Sequence, residues 1–347
     1  MKRTFASDNY AGVHPRIMEA LVEANRGHAP SYGADEYTRD AIAAFKELFG
    51  HDREVFLVYN GTGANVLALK ALSLSFNSII CSELAHINVD ESTATENFTG
   101  CKVIPIPHVH GKIQPDQVRK KLIRIGDQHH PQGRIISISQ TTEYATVYTV
   151  NEILELAALA REFNLYLHMD GSRLANAAVS LKKEFAEFTF DAGVDVLSFG
   201  GTKNGMMFGE AVIFANPETA AYFNYFRKQA MQLHSKMRFI GAQFAALLSG
   251  RLWEESARHS NNMAAKLGKG LEQIPGIKLT QPVEANGVFA VFPPKIIKPL
   301  QEESFFYVWN DSTSEVRLMC SFDTTEEDVE RFVRNVNELM GNLIPNV

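Results

Sequence analysis

Val194-Asp195-Val196-Leu197-Ser198-Phe199-Gly200-Gly201-Thr202-Lys203-Asn204-Gly205 is the stretch on which the reading of this chain turns. Val194 to Leu197 has the composition of a buried strand. Glycines on both sides of Lys203 let the backbone turn tightly and come close to a ligand. A lysine at the end of a buried strand, hemmed by small residues, is a candidate for a desolvated amine. Desolvation lowers an ammonium pKa, and a neutral amine attacks carbonyl carbons. Taken alone the stretch also fits a surface loop, and what distinguishes Lys203 is the set of residues that accompany it along the chain.

The same pattern recurs along the chain. A strand over Glu54–Tyr59 runs into Asn60-Gly61-Thr62-Gly63-Ala64-Asn65 and then an Ala- and Leu-rich helix. Free N–H groups and the helix dipole at such a junction suit an anion, and Thr62 adds a hydroxyl. It is neither a Walker loop nor a Gly-x-Gly-x-x-Gly fingerprint, and an ordinary helix start reads the same way. Ser78–Ser82 is a strand leading to His86 and an expected helix over Asn88–Phe98. Strands follow at Lys102–Pro107, Arg134–Gln140, Leu165–Met169 and Glu210–Ala215, with helices expected at Pro115–Ile125 and Val150–Phe163. His14 and Pro15 open a helix through Asn25, and Ser31–Thr38 reads as a loop carrying Tyr32.

Strand and helix in alternation predict a three-layer α/β fold, a mostly parallel sheet flanked by helices. Ligands of such sheets sit beyond the carboxyl ends of the strands. The glycine loop, His86, Gln140–Glu143, Asp170 and Lys203 share that address. After a helical stretch expected over Pro217–Leu248 the sequence changes character. Strands at Gly276–Gln281, Val288–Phe292, Phe305–Trp309 and Val316–Phe322, with two helices, predict a smaller α+β C-terminal domain. Thr324 and Glu327 are set for a capping box on the last helix. The expected division is an arm and helix at 1–30, a large domain at 31–250 and a small domain at 251–347. Arg317, flanked by Val, Leu, Met and Cys, needs an anion: a substrate carboxylate, or an Asp or Glu of the chain.

The remaining composition sets bounds. The chain has 347 residues, 45% hydrophobic and 21% charged, as a globular protein with ample core does. A net charge of -6 gives no footing for nucleic acid or a membrane surface. Three cysteines in apolar surroundings, no signal-like N-terminus and no membrane-length apolar run point to a cytoplasmic protein. His108, His110, His129 and His130 have no metal-ligand spacing, and no metal is expected. Arg227, Lys228, Lys236 and Arg238 form a basic cluster that reads as a solvated face or as cations offered to an anion across a subunit interface.

A phosphate cradle, an acid ending one strand, a lysine ending another and an arginine for a carboxylate together suit pyridoxal phosphate and an amino acid. His168-Met169-Asp170-Gly171-Ser172-Arg173-Leu174-Ala175-Asn176-Ala177 resembles the Asp-Gly-Ala-Arg-Leu-x-Asn-Ala motif of the L-threonine aldolase family, of the aminotransferase-like fold. Ser7-Asp8, Tyr32-Gly33, Gly61-Thr62, Ala85-His86, Thr202-Lys203-Asn204-Gly205, Met237-Arg238 and Arg317-Leu318 extend the resemblance over nearly the whole chain. It implies pyridoxal 5'-phosphate bound covalently by Lys203, with Asp170 at the pyridine nitrogen, His86 on the ring and Gly61 and Thr62 on the phosphate. Arg173 is implied beside cofactor and substrate, Arg238 at a neighbouring subunit's phosphate, and Ser7, Arg173 and Arg317 at the substrate carboxylate, with Tyr32 entering from the partner. The implied reaction cleaves L-threonine, L-allo-threonine and related β-hydroxy-α-amino acids to glycine and an aldehyde in a homodimer or homotetramer whose active site lies at the interface. β-Elimination and racemisation are the alternatives on the same fold. Short members carry a second histidine after the strand equivalent to Ile135–Ser139. Here Gln140-Thr141-Thr142-Glu143 follows, so Glu143 is the candidate for that place. Ser172 stands where the family usually has alanine.

Overall fold

A computed structural model describes residues 3–343. Residues 1, 2 and 344–347, at the ends of the first and last expected domains, lie outside the described residues. Helices α1 (Pro15–Ala24) and α2 (Glu36–Phe49) precede strand β1 (Glu54–Val58), α3 (Gly61–Ala71) and β2 (Asn77–Ser82). Two short helices, α4 (His86–Val89) and α5 (Ala94–Thr99), lead to β3 (Lys102–Ile106), α6 (Pro115–Arg119) and β4 (Gln132–Ser139). Next come α7 (Val150–Glu162), β5 (Tyr166–Gly171), α8 (Leu174–Leu181), β6 (Val196–Gly200) and β7 (Glu210–Phe214). Helices α9 (Phe223–Gln229), α10 (Arg238–Leu248) and α11 (Leu252–Glu272) follow. The chain ends with β8 (Lys278–Leu279), β9 (Gly287–Val291), α12 (Pro294–Glu303), β10 (Tyr307–Asn310), β11 (Glu315–Met319) and α13 (Glu326–Gly341).

The seven-stranded sheet has the order β1-β7-β6-β5-β4-β2-β3, and β7 runs antiparallel to both its neighbours. The inner strands are apolar on both faces, as burial between two helical layers requires. Successive side chains alternate between two cores. Leu57, Ile80, Ile136 and Leu197 join one with α2, α7 and α10, and Val58, Ile79, Ile135 and Val196 join the other with α3 and Phe223. A second sheet, β10-β11-β9-β8, packs its own core against α11, α12 and α13. Phe5 belongs to this core and pairs by backbone with Phe305 and Met319, so the start of the chain is built into the far sheet. Among the described residues no helix is long and apolar enough to cross a membrane.

Among the expected helices and caps the structure departs at five places, and the strand expected at Gly276–Gln281 is reduced to Lys278–Leu279. The stretch read as a loop, Ser31–Thr38, already contains the start of α2, because the Asp35 carboxylate caps the Thr38 N–H at 2.8 Å. The helix expected over Asn88–Phe98 is broken, with Ser92 and Thr93 at φ 49° and 59° and Glu91 turned into the protein. The helix expected over Pro115–Ile125 stops at Arg119. The helical stretch over Pro217–Leu248 is interrupted after Gln229, with Met231 at φ 61°. The last helix takes its capping box from Thr325 and Asp328, one residue beyond Thr324 and Glu327, because the Thr324 hydroxyl accepts from the Ser321 N–H instead.

Phe45 is the hub of the aromatic part of the main core, with ring centroids 5.2 Å from Phe199 and 5.0 Å from Phe244. It is fully buried, so Phe45→Ala leaves a cavity and is expected to cost ~3–5 kcal/mol. Equilibrium denaturation of the variant measures this directly.

Candidate active site

The carboxyl ends of β5 and β6 build the centre of the site. On the face toward α3 their side chains change from apolar to polar as the strands reach the edge. Ile135 and Val196 give way to Ser137, His168, Ser198 and Asp170. His168 lies between the Ser137 and Ser198 hydroxyls at 2.8 and 3.1 Å, and burial lowers its pKa to about 4, so the ring is neutral. Asp170 accepts from the Ser172 N–H at 2.9 Å and from Asn65 Nδ2 at 2.8 Å. Burial opposes its charge, but the nearby Lys203 and His86 and these hydrogen bonds hold its carboxyl below the usual range.

Lys203 sits in a single 3₁₀ turn, Thr202–Asn204, closed by Gly205 in the left-handed region at φ 99°. Gly200, just before the turn, has no room for a side chain: a Cβ there would lie 2.4 Å from the Ser172 carbonyl oxygen. Burial and the Arg173 charge push the Lys203 pKa down, while Asp8, Asp170 and Glu210 act in the opposite sense. Among the described residues its amine has no hydrogen bond and no ion pair. Glu210, on β7, accepts from the Gly201 N–H at 2.8 Å and fixes the start of that turn.

Gly61 and Thr62 are the first turn of α3, and Asn60 caps the helix through the Gly63 N–H at 2.8 Å. No described residue accepts from the Gly61 or Thr62 N–H, and the space beside Gly61 is open. His86 begins α4 across the cleft. Its Nδ1 lies 2.9 Å from Glu91 Oε1, and this hydrogen bond raises its pKa against the effect of burial. Asn65 Nδ2 donates to Glu91 as well as to Asp170, so one amide joins the two carboxylates. Glu91 and Asn65 were not singled out from sequence. The sequence carries no local signal for the break at Ser92 and Thr93 that turns Glu91 inward, and Asn65 lies in the first turns of α3 just past the glycine loop. Glu143 lies next to this group. Its Oε1 accepts from Ser139 Oγ at 2.6 Å and from the His86 N–H at 3.1 Å, and burial raises its pKa to about 7.

A second cluster lies beside the first, toward the far sheet. Arg173, following β5, donates from Nε and one terminal nitrogen to the two oxygens of Asp8, at 2.7 and 2.9 Å. Arg317, on β11, has no carboxylate partner among the described residues. It donates to the Ala6 carbonyl at 3.5 Å, its Nε is buried without an acceptor, and Tyr307 and Trp309 flank it. Burial and the charge of Arg173 lower its pKa to about 10. Ser7 lies beside Asp8, with Oγ 3.3 Å from Oδ1.

Gly61, Thr62, His86, Asp170 and Lys203 therefore line one cleft, with Glu143, Arg173, Arg317 and Ser7 around it. Tyr32 and Arg238 do not reach it within one chain. Tyr32 is 51% exposed beneath Lys228, and Arg238 donates to the Gly27 carbonyl. Arg227 is not a solvated face but donates to the Leu57 carbonyl and lies over Phe56. A cavity of about 520 Å³ beside His110, Lys112 and Glu284 is separate from this cleft. The partnerless amine, the free N–H groups on α3 and the buried, ionised Asp170 fit a phosphorylated pyridine aldehyde: each supplies what one end of such a molecule needs.

Known proteins resemble the chain over nearly its whole length. Residues 4–293 match the beta-eliminating lyase family. The chain is 43% identical to a low specificity L-threonine aldolase of Pseudomonas aeruginosa over 97% of its own length and 98% of the relative's. Its fold superposes on the Leishmania major threonine aldolase with a TM-score of 0.92 and 32% identity, covering 97% and 99% of the two chains. An aspartate aminotransferase of Thermus thermophilus, 16% identical at a TM-score of 0.71, shares the fold alone. The chain belongs to the beta-eliminating lyase family, in its threonine aldolase branch.

Proposed function

We propose that this chain is a pyridoxal 5'-phosphate-dependent aldolase that cleaves L-threonine, L-allo-threonine and related β-hydroxy-α-amino acids to glycine and an aldehyde. The observation that carries the reading is Lys203: a buried amine with a lowered pKa and no hydrogen-bond or ion-pair partner among the described residues, lining one cleft with Asp170 and the free N–H groups of α3. Lys203 would hold the cofactor covalently, Asp170 its ring nitrogen, His86 its ring face, and Gly61 and Thr62 its phosphate. When bound, pyridoxal phosphate supplies an electron sink for the pair left at Cα as the Cα–Cβ bond breaks.

The chain's own residues then divide the work. Arg317, with Ser7 and Arg173, takes the substrate carboxylate and so sets which bond at Cα is aligned for cleavage. Glu143 takes the β-hydroxyl proton, directly or through a water. Glu91 holds His86 in place and favours its protonated form. Glu210 positions Lys203 by fixing the turn that carries it. Arg238 and Tyr32, outside the cleft in one chain, contribute to the site of a second copy. The exposed Tyr32 ring supports that assembly, a homodimer or homotetramer. Three buried, unpaired cysteines support a cytoplasmic setting.

The direct test is release of aldehyde and glycine from each threonine isomer by the cofactor-loaded protein. Equimolar products from the L-isomers are expected, and Lys203→Ala should abolish both turnover and covalent cofactor. Ammonia or racemised substrate in place of aldehyde would move the assignment to β-elimination or racemisation. Glu143 acts as a base only when ionised. With its pKa raised to about 7, activity should climb as pH rises through that value, and Glu143→Gln should remove that limb of the profile.

Glu210 gives a stability test. Burial raises its pKa to about 7, above that of an unfolded glutamate, so folding favours the protonated form. Its contribution is most favourable at low pH and is lost as pH rises toward 7. Glu210→Gln should therefore match the cofactor-free protein at pH 5 and melt a few degrees above it at pH 8. An equal offset at both pH values would contradict this.

A further inference from the structure

Two arginines face the substrate end of the cleft, yet only one of them is free. The Arg173 guanidinium is already met edge-on by Asp8, through two parallel hydrogen bonds of 2.7 and 2.9 Å. Asp8 is itself pinned from a third segment: Asn286 Nδ2 donates to Asp8 Oδ2 at 3.1 Å and to the Cys320 carbonyl at 2.8 Å. The Asp8 side chain is 1% exposed, and the Arg173 charge and hydrogen bonds keep its carboxyl below the usual range despite burial. The fork leaves Arg173 Nη1 without a hydrogen bond among the described residues. Arg317 has a buried Nε without an acceptor and is close enough to Arg173 to be depressed by its charge. Charge counting follows. Arg173 and Arg317 bring two positive charges and Asp8 one negative, so the seat carries a net single positive charge.

On the proposed aldolase reading, we infer that Asp8 is a specificity-determining residue that occupies half of a two-arginine seat with a carboxylate of the chain itself, so that the site accepts substrates bearing one carboxylate and rejects dicarboxylates. A substrate monoanion brings the seat to neutrality. A dianion would place its second charge against Asp8 and find no free guanidinium for it. Asp8 touches no reacting atom. It acts through Arg173, leaving Nη1 open for a carboxylate shared with Arg317. The arrangement joins three distant parts of the chain: the arm at Asp8, the end of β5 at Arg173 and the entry to β9 at Asn286. Selectivity by charge is therefore built into the contact between the two sheets.

The test uses holoenzyme and two small anions, acetate and malonate, with binding read by calorimetry and by the near-visible absorbance of the cofactor. The wild-type protein should bind malonate no more than about threefold tighter than acetate. Asp8→Asn, which removes the negative charge held against the second guanidinium, should bind malonate at least about tenfold tighter than acetate, as one added charge contact in a shielded site implies. Asn286→Ala keeps the Asp8 charge but removes its anchor, and should leave the malonate-to-acetate ratio unchanged. A folded Asp8→Asn with the wild-type ratio would overturn the inference, as would a shift in Asn286→Ala as large as that in Asp8→Asn. If Asp8→Asn does not fold, the wild-type ratio still decides, since a tenfold preference for malonate there refutes an occupied seat. None of these readings needs turnover. Failure to release aldehyde would sink the aldolase reading while leaving the anion preference standing.

Discussion

Everything at this site depends on keeping several charges dry at the ends of two adjacent strands. Asp170 and Lys203 sit on β5 and beyond β6, and neither is offset by a simple ion pair with the other. Asp170 is held ionised by an amide, a backbone N–H and the positive field around it. Lys203 is pushed the other way, toward the neutral amine, by burial and by Arg173. Buried charges without partners are normally expelled from a fold because desolvation costs several kcal/mol per ion. Here the surrounding hydrogen bonds stabilise the acid, and the amine gives up part of its affinity for a proton. The result is an acid that stays charged and a base that is ready to react, side by side.

That constraint explains the polar ladder beneath the cleft. His168 fills the space between two serines with both ring nitrogens engaged, so a neutral imidazole can sit inside the sheet with no unpaired polar atom of its own. It also explains the broken helix after His86. A regular helix through Asn88–Phe98 would direct Glu91 by its place on the turn. The left-handed pair Ser92 and Thr93 instead releases Glu91 into the interior, where it meets His86 and Asn65. At Ser92 and Thr93 irregular backbone lies where side chains converge, as is common at functional sites.

The sheet was legible in the sequence because its signal is local. Apolar runs with strand composition end in glycine, Asp170 or Lys203, and the strand-to-helix alternation leaves few topologies open. The central residues were legible for the same reason: each stands at the end of such a run. What could not be read locally was partnership. Asp8 and Arg173 are 165 positions apart, and nothing near either one in the chain predicts the fork between them. The capping box on the last helix failed by one residue because Thr324 and Thr325 each have an acid three positions on. A hydrogen bond from the Ser321 N–H, three residues back, decides between them by engaging the Thr324 hydroxyl. Asp35 was passed over as a cap because the surrounding tyrosines and glycine resemble a loop.

The far sheet brings an unpaired cation to the cleft for a physical reason. Arg317 lies on β11 with its guanidinium flanked by Tyr307 and Trp309, which shield it from water without supplying an acceptor. A cation so placed is destabilised until an anion arrives, and its pKa, lowered to about 10, registers that cost. Burying Phe5 in the same core ties the arm carrying Ser7 and Asp8 to this arginine. The two sheets thus meet across a seat that lacks one negative charge, while the reactive amine waits on the other side of it. Under the proposed reading, a bound carboxylate would meet a buried arginine that has no carboxylate partner among the described residues, so the energy of recognition would come from a deficit built in by the fold itself.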